Sequence, residues 1–219
     1  MQQAKRTFDL IASAAGLLVT WPVLTAAALA IRLRLGKPVL FRQTRPGLHG
    51  RPFTLYKFRT MTNDCGSDGR PLPNTQRLGS LGRFLRSTSL DELPSLWNVV
   101  KGDMSLVGPR PLLMEYLCHY TFEQARRLTV RPGVTGWAQV NGRNAATWDD
   151  RFALDNYYVD HQSLWFDLRI LWLTALSVLR REGVNPEGDA TPPFMALKAS
   201  PKPGSCTATE PGEGAGTHE

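Results

Sequence analysis

The 219-residue chain reads as an α+β fold, mainly helical with a short β-hairpin, membrane-associated through an N-terminal re-entrant helix-break-helix and amphipathic interfacial helices. Three observations predict this. Residues 10–31, LIASAAGLLVTWPVLTAAALAI, carry no charge; PVLFRQ and RPFTLYKFRTM flank TRPGLHG; and residues 164–181, LWFDLRILWLTALSVLRR, join leucines and tryptophans to a basic end. They divide the chain into a membrane hairpin over residues 1–36, a main domain over 37–183 and a tail over 184–219.

At about 1.5 Å rise per residue the uncharged run is long enough to cross a bilayer as a straight helix. Pro22 interrupts it, removing a backbone donor and crowding the preceding turn, so a kink or break is expected there. Lys5 and Arg6 precede the run, and Arg32, Arg34 and Lys37 follow it. Basic residues at both ends favour the same cytoplasmic side, which a re-entrant hairpin satisfies. A spanning anchor and a buried core helix are the competing readings. A signal peptide would need a shorter apolar core and a small-residue cleavage site, whereas this run ends in Arg32-Leu33-Arg34.

Further along, β-branched and aromatic residues on both sides of Pro46-Gly47 and Gly50 predict the β-hairpin. Leu78, Leu81 and Leu85, at steps of three and four, predict a short amphipathic helix running to Arg86. Residues 113–129 read as helical, and VRPGVTGWAQVNGRN reads as a loop with short extended pieces, of the kind that carries binding groups. Residues 164–181 fit both core packing and an interfacial helix; Trp165 and Trp172, seven apart on one face, favour the interface. From Gly183 onward Pro, Gly, Ser, Thr and Glu dominate, so a disordered tail is expected.

Residues 1–183 carry 24 Lys or Arg against 14 Asp or Glu, a balance that favours anionic partners. Nucleic acid, anionic headgroups and phosphorylated substrates all meet that description; nucleic acid does not explain the apolar run and is not expected. Cys65, Cys118 and Cys206 are widely separated, without the spacing of a disulfide framework or zinc site. The four histidines show no HExxH spacing.

Asp91 and Glu92 stand between Arg86 and the Pro109-Arg110-Pro111 element. A carboxylate can act as nucleophile or metal ligand, and guanidinium forks pair with phosphate oxygens. Ser89-Leu90-Asp91-Glu92 matches a capping box, but Pro94 would then sit too deep in the helix. Asp91 as N-cap accommodates Pro94 better, and the helix dipole would favour its ionised form. The prolines around Arg110 restrict its backbone and lower the entropy lost on gripping an anion. With Lys57, Arg59 and Arg86 nearby in the pattern, cations outnumber the two carboxylates, and a diphosphate would account for the surplus.

The motifs KRTFD, FRQTRPG, FTLYKFRTM, STSLDELPSLWNVVKGDMSLVGPRPLL, VRPGVTGWAQVNGRN and FALDNYYVDHQSLWFDLRIL, in this order, resemble the bacterial sugar transferases, the monotopic polyprenyl-phosphate phosphoglycosyl transferases. Within them the chain looks most like the initiating enzyme of bacterial N-linked protein glycosylation. The resemblance implies a cytoplasmic catalytic domain on the bacterial inner membrane, facing the inner-leaflet lipids, and a ping-pong reaction. Asp91 would attack the sugar-bearing phosphate of a UDP-sugar, releasing UMP, and polyprenol phosphate (undecaprenyl phosphate) would collect the phosphosugar, with Mg²⁺ assisting. It further implies that Glu92 completes a catalytic dyad with Asp91, the pair also holding the metal. Lys57, Arg86 and Arg110 would bind substrate phosphate and Arg143 the nucleotide. The family's breaking proline often follows serine, whereas Trp21 precedes Pro22 here. The rival of a different class is a noncatalytic, basic, membrane-bound scaffold.

Overall fold

The computed structural model describes residues 2–142 and 147–180; Arg143 and the tail expected over 184–219 lie outside the described residues. Helix α1 (Gln2–Arg34) is long and apolar enough to cross a membrane, with a mean hydropathy of 1.9 and only 11% of its most apolar window buried. The break expected at Pro22 is corrected: α1 continues through it as one helix. Proline's φ suits an α-helix, and the residue costs one donor rather than the whole ladder. Nor does the Thr20 hydroxyl recapture the carbonyl that Pro22 frees at Leu18, because it donates to Gly16 O at 2.6 Å.

Both halves of α1 pack on the same domain. Near its start Arg6 donates to the carbonyls of Val99 and Val100, at 2.5 and 2.9 Å, and so caps the end of α4 (Leu96–Lys101). Lys5 pairs with Asp167, and Asp9 accepts from Ser105 Oγ and Leu106 N. These cations are therefore committed inside the protein rather than to headgroups. Near its end, Ala27 and Ile31 pack with Phe58 and Leu85. Each large apolar side chain buried there contributes roughly 1.5–3 kcal/mol. Arg59 donates to the carbonyls of Leu35, Gly36 and Lys37 just beyond the helix. Ile11, Leu18, Val19, Trp21, Leu29 and Leu33 remain exposed.

The expected hairpin is present as β1 (Leu40–Pro46) and β2 (Pro52–Phe58), antiparallel with Arg45 opposite Phe53 and Phe41 opposite Lys57. Since side chains alternate, Gln43, Arg45, Leu55 and Lys57 share one face. After α2 (Asn74–Arg77), α3 (Ser80–Ser87) crosses the end of the hairpin so closely that a Cβ on Gly82 would lie 1.9 Å from the Thr60 carbonyl oxygen. One turn on, Arg86 Nε donates to Thr60 Oγ1 at 3.1 Å.

A 3₁₀ turn, Leu90–Ser95, then leads into α4. Asn98, fully buried on α4, donates to Thr54 O at 2.7 Å and accepts from Tyr56 N at 3.1 Å, locking α4 to β2. Strand β3 (Ser105–Val107) pairs in parallel with β4 (Gly133–Thr135). Between them, the helix expected over 113–129 is corrected to three short pieces: a 3₁₀ turn Met114–His119, α5 (Phe122–Ala125) and a 3₁₀ turn Arg126–Thr129. Tyr120 is extended, and Thr121 restarts the chain with a capping box to Gln124. The segment read as a loop over 130–144 contains β4 and α6 (Trp137–Gly142).

Helices α7 (Trp148–Asp160) and α8 (Leu164–Leu179) close the fold. Tyr158 and Ile170 join Leu55, Val99, Met104, Leu106 and Val107 in the largest core cluster. Trp165 and Trp172 are both exposed, on the side of α8 away from buried Asp167 and Ile170.

Candidate active site

Four elements bring their charged side chains to one place: Lys57 from β2, Arg86 from α3, Asp91 and Glu92 from the 3₁₀ turn, and Arg110 from the loop after β3. Glu92 is clamped. Its Oε1 accepts from Lys57 Nζ at 2.6 Å and from Arg110 Nη2 at 2.9 Å, and these cations hold its carboxyl well below the usual range despite burial. Asp91 is different: it makes no hydrogen bond or ion pair with any described residue. Burial first, and the neighbouring Glu92 charge second, push its carboxyl up to about 6. Lys57, Arg86 and Arg110 oppose that rise.

The Asp91 N-cap expected from Pro94 is corrected. The turn begins at Leu90 after Ser89 in the left-handed region (φ 54°), with no side-chain cap bond. Asp91 and Glu92 both lie in the first turn, and Pro94 is tolerated because a 3₁₀ turn avoids the i−4 clash that the ring would make in an α-helix. The expected lowering of Asp91 by a helix dipole is likewise replaced by a rise. Six residues of 3₁₀ turn supply a weak dipole, and desolvation beside a second carboxylate outweighs it. Arg59 is also absent from the site, its guanidinium being used at the end of α1.

The Pro-Arg-Pro element is held harder than its prolines suggest. Three successive carbonyls are engaged: Pro109 O accepts from Gly133 N at 3.0 Å, Arg110 O from Arg127 Nη2 at 2.6 Å, and Pro111 O from Arg45 Nη1 at 3.4 Å. Arg127 is itself buried and paired with buried Asp155 at 2.8 Å. Arg127 and Arg45 are thus residues that reading along the chain missed. Their only sequence signal is position inside the quoted motif FRQTRPG for Arg45, with none at all for Arg127.

The residues present fit a magnesium ion in a limited way. No group of three or more His, Cys, Asp or Glu side chains converges among the described residues. Magnesium, however, commonly uses one or two carboxylates together with substrate phosphates, and the like-charge penalty between Asp91 and Glu92 is what a cation would relieve. The solvent-open cleft that Glu92 lines is also lined by Arg45, Leu55, Lys57 and Arg110 among others. Its cations, which also act on the adjacent Asp91, can bind phosphate groups.

Residues 1–181 match the family model described as bacterial sugar transferase. The chain belongs to the bacterial sugar transferase family. As a member of this family it is an enzyme. It is 54% identical over 187 residues to an uncharacterized sugar transferase of Bacillus subtilis, covering 85% of this chain and 93% of that one. It is 44% identical over 187 residues to a UDP-glucose:undecaprenyl-phosphate glucose-1-phosphate transferase of Caulobacter vibrioides, covering 80% of this chain and 69% of the relative. With an undecaprenyl-phosphate galactose phosphotransferase of Salmonella typhimurium the identity is 41% over 196 residues, covering 82% of this chain but only 41% of the relative. This sugar transferase thus spans less than half of that longer relative.

Proposed function

We propose that this sugar transferase moves a phosphosugar from a UDP-sugar to undecaprenyl phosphate through a covalent intermediate on Asp91. The observation that carries the proposal is the division of labour in the dyad: Glu92 is spent on Lys57 and Arg110, while the Asp91 carboxylate has no described partner and faces the same cluster of cations. Names of relatives that act on undecaprenyl phosphate support the acceptor. A carboxyl near pH 6 is mostly ionised at neutral pH yet weakly solvated, which suits a nucleophile.

In the first step an Asp91 oxygen attacks the phosphorus next to the sugar. The bond from that phosphorus to the bridging oxygen breaks, and UMP leaves with the electron pair. In the second step a phosphate oxygen of the polyprenyl acceptor attacks the same phosphorus, and the Asp91 carboxylate leaves unchanged. Lys57, Arg86 and Arg110 hold the phosphoryl oxygens in both steps. Asp91 and Glu92 would hold magnesium, whose charge, when bound, neutralises those oxygens further. Arg143, outside the described residues, is proposed for the nucleotide.

The test presents the detergent-solubilised protein with undecaprenyl phosphate and a panel of UDP-sugars. UMP release with at least one donor is expected; silence with every donor would remove the proposal and favour the noncatalytic scaffold.

We further propose that both ends of α1 lie on the cytoplasmic side of the inner membrane, with its exposed apolar face and the α8 tryptophans in the lipid. Packing of both Arg6 and Ile31 on one domain supports this, since a spanning helix would carry one end away from it. A continuous helix packed on the domain near both ends, with its other face apolar and exposed, fits lying in the inner leaflet better than a straight crossing. Single cysteines at residues 4 and 33, probed in intact cells, are expected to resist a membrane-impermeant reagent alike. Labelling of only one of them would overturn the topology.

A further inference from the structure

Arg45 has no role in the site described so far beyond a long contact with a loop carbonyl, yet the structure places it where a cation is hard to explain by folding alone. The hairpin register puts it on the same face as Lys57, and both line the cavity beside Glu92 and Arg110. It forms no ion pair with any described residue. Its Nη2 donates to Gln43 Oε1 at 2.7 Å, a neutral partner, and its Nη1 reaches Pro111 O only at 3.4 Å, near the limit of a hydrogen bond. Its Nε is buried without a partner. Burial, then the like charge of Arg110, hold the guanidinium below its ordinary pKa.

A partly buried guanidinium next to a second cation and without an ion-pair partner among the described residues costs stability, and an anion between the two relieves the cost. Arg110 is tied to Glu92, beside the nucleophile, whereas Arg45 approaches from the hairpin side of the Pro-Arg-Pro loop. A donor diphosphate has two phosphorus centres, and the one that is attacked belongs beside Asp91. The other needs a separate cation, because charge builds on it as the bridging bond breaks.

We infer that Arg45 is a binding residue for the departing nucleotide phosphate, gripping the UMP moiety of the donor from the hairpin side of the cavity. The inference rests on the proposed phosphosugar transfer and adds to it the residue that recognises the leaving group.

The experiment compares the full-length wild-type protein with Arg45→Gln and Arg45→Lys, using UMP and uridine as inhibitors of UMP-forming turnover. For Arg45→Gln the inhibition constant of UMP is expected to rise about tenfold or more, that of uridine to stay within about twofold, and the lysine variant to recover part of the loss. The KM for undecaprenyl phosphate should remain near wild type. Equal weakening of UMP and uridine, or a raised acceptor KM with unchanged UMP inhibition, overturns the inference. If Arg45→Gln fails to fold, Arg45→Lys carries the test: UMP inhibition weakened more than uridine inhibition supports it, and no difference between the two inhibitors overturns it. Failure of the underlying activity looks different, since the wild type itself would then release no UMP.

Discussion

Replacing Asp91 by asparagine is expected to lower turnover by about 10³-fold or more while making the folded protein more stable at neutral pH. The first effect follows from loss of the attacking oxygen. The second follows from linkage. The folded-state carboxyl sits at about 6, above its ordinary 3.8, so the folded protein binds that proton more tightly than the unfolded chain. The penalty is absent below pH 3.8, grows as pH rises through about 6, and is fully present above it. An uncharged asparagine escapes it, which is worth about 1–3 kcal/mol at pH 7.5 and should raise the midpoint of thermal unfolding in detergent by several degrees. The gain should shrink as the pH of the melt is lowered from 6 towards 4. In the wild type kcat/KM for the donor should fall about tenfold per pH unit below 6. A melting point for the asparagine variant below wild type at pH 7.5 would show that Asp91 is held by contacts rather than poised against them.

Gly133→Ala is expected to cost about 4 kcal/mol or more and to remove activity with the fold. A Cβ there would lie 2.1 Å from Gly108 N, 2.3 Å from Thr135 O and 2.6 Å from Gly108 O, all backbone atoms that cannot rotate away. The parallel pairing of β3 with β4 would have to open, releasing the Gly133 N–H from Pro109 O and with it the loop that carries Arg110. Gly79→Ala is the control: nothing lies within 4 Å of the added Cβ and the backbone is extended, so a change within about 1 kcal/mol is expected. Denaturant unfolding of the two variants compares them directly, and similar midpoints would mean that the β3–β4 contact is softer than its geometry.

These two predictions draw on different kinds of information. Asp91 and Glu92, Lys57, Arg86 and Arg110 were legible along the chain, because a pair of carboxylates between cations is a compositional pattern that survives without coordinates. The apolar helix and the hairpin were legible too, since a run without charge and a Pro-Gly turn between β-branched stretches act over a few residues. What each charge does was not legible. Glu92 rather than Asp91 takes both cations, Lys5 pairs with Asp167 on α8 while Arg6 and Arg59 bind carbonyls at the ends of α4 and α1 instead of lipid or phosphate, and Asp91 is raised rather than lowered.

The sequence by itself determined the apolar N-terminal helix, the hairpin and the short helix before Arg86, because these depend on local periodicity and backbone propensity, but not the pieces over 113–129 or β4 and α6. Only the tertiary structure decided the β3–β4 pairing, the hold of Arg127 and Arg45 on the Pro-Arg-Pro carbonyls, and the clamp on Glu92. Two parallel strands of three residues, 28 positions apart at Ser105 and Gly133, have no local signature. A charge changes role with a shift of a few ångströms, since both desolvation and pairing depend steeply on distance.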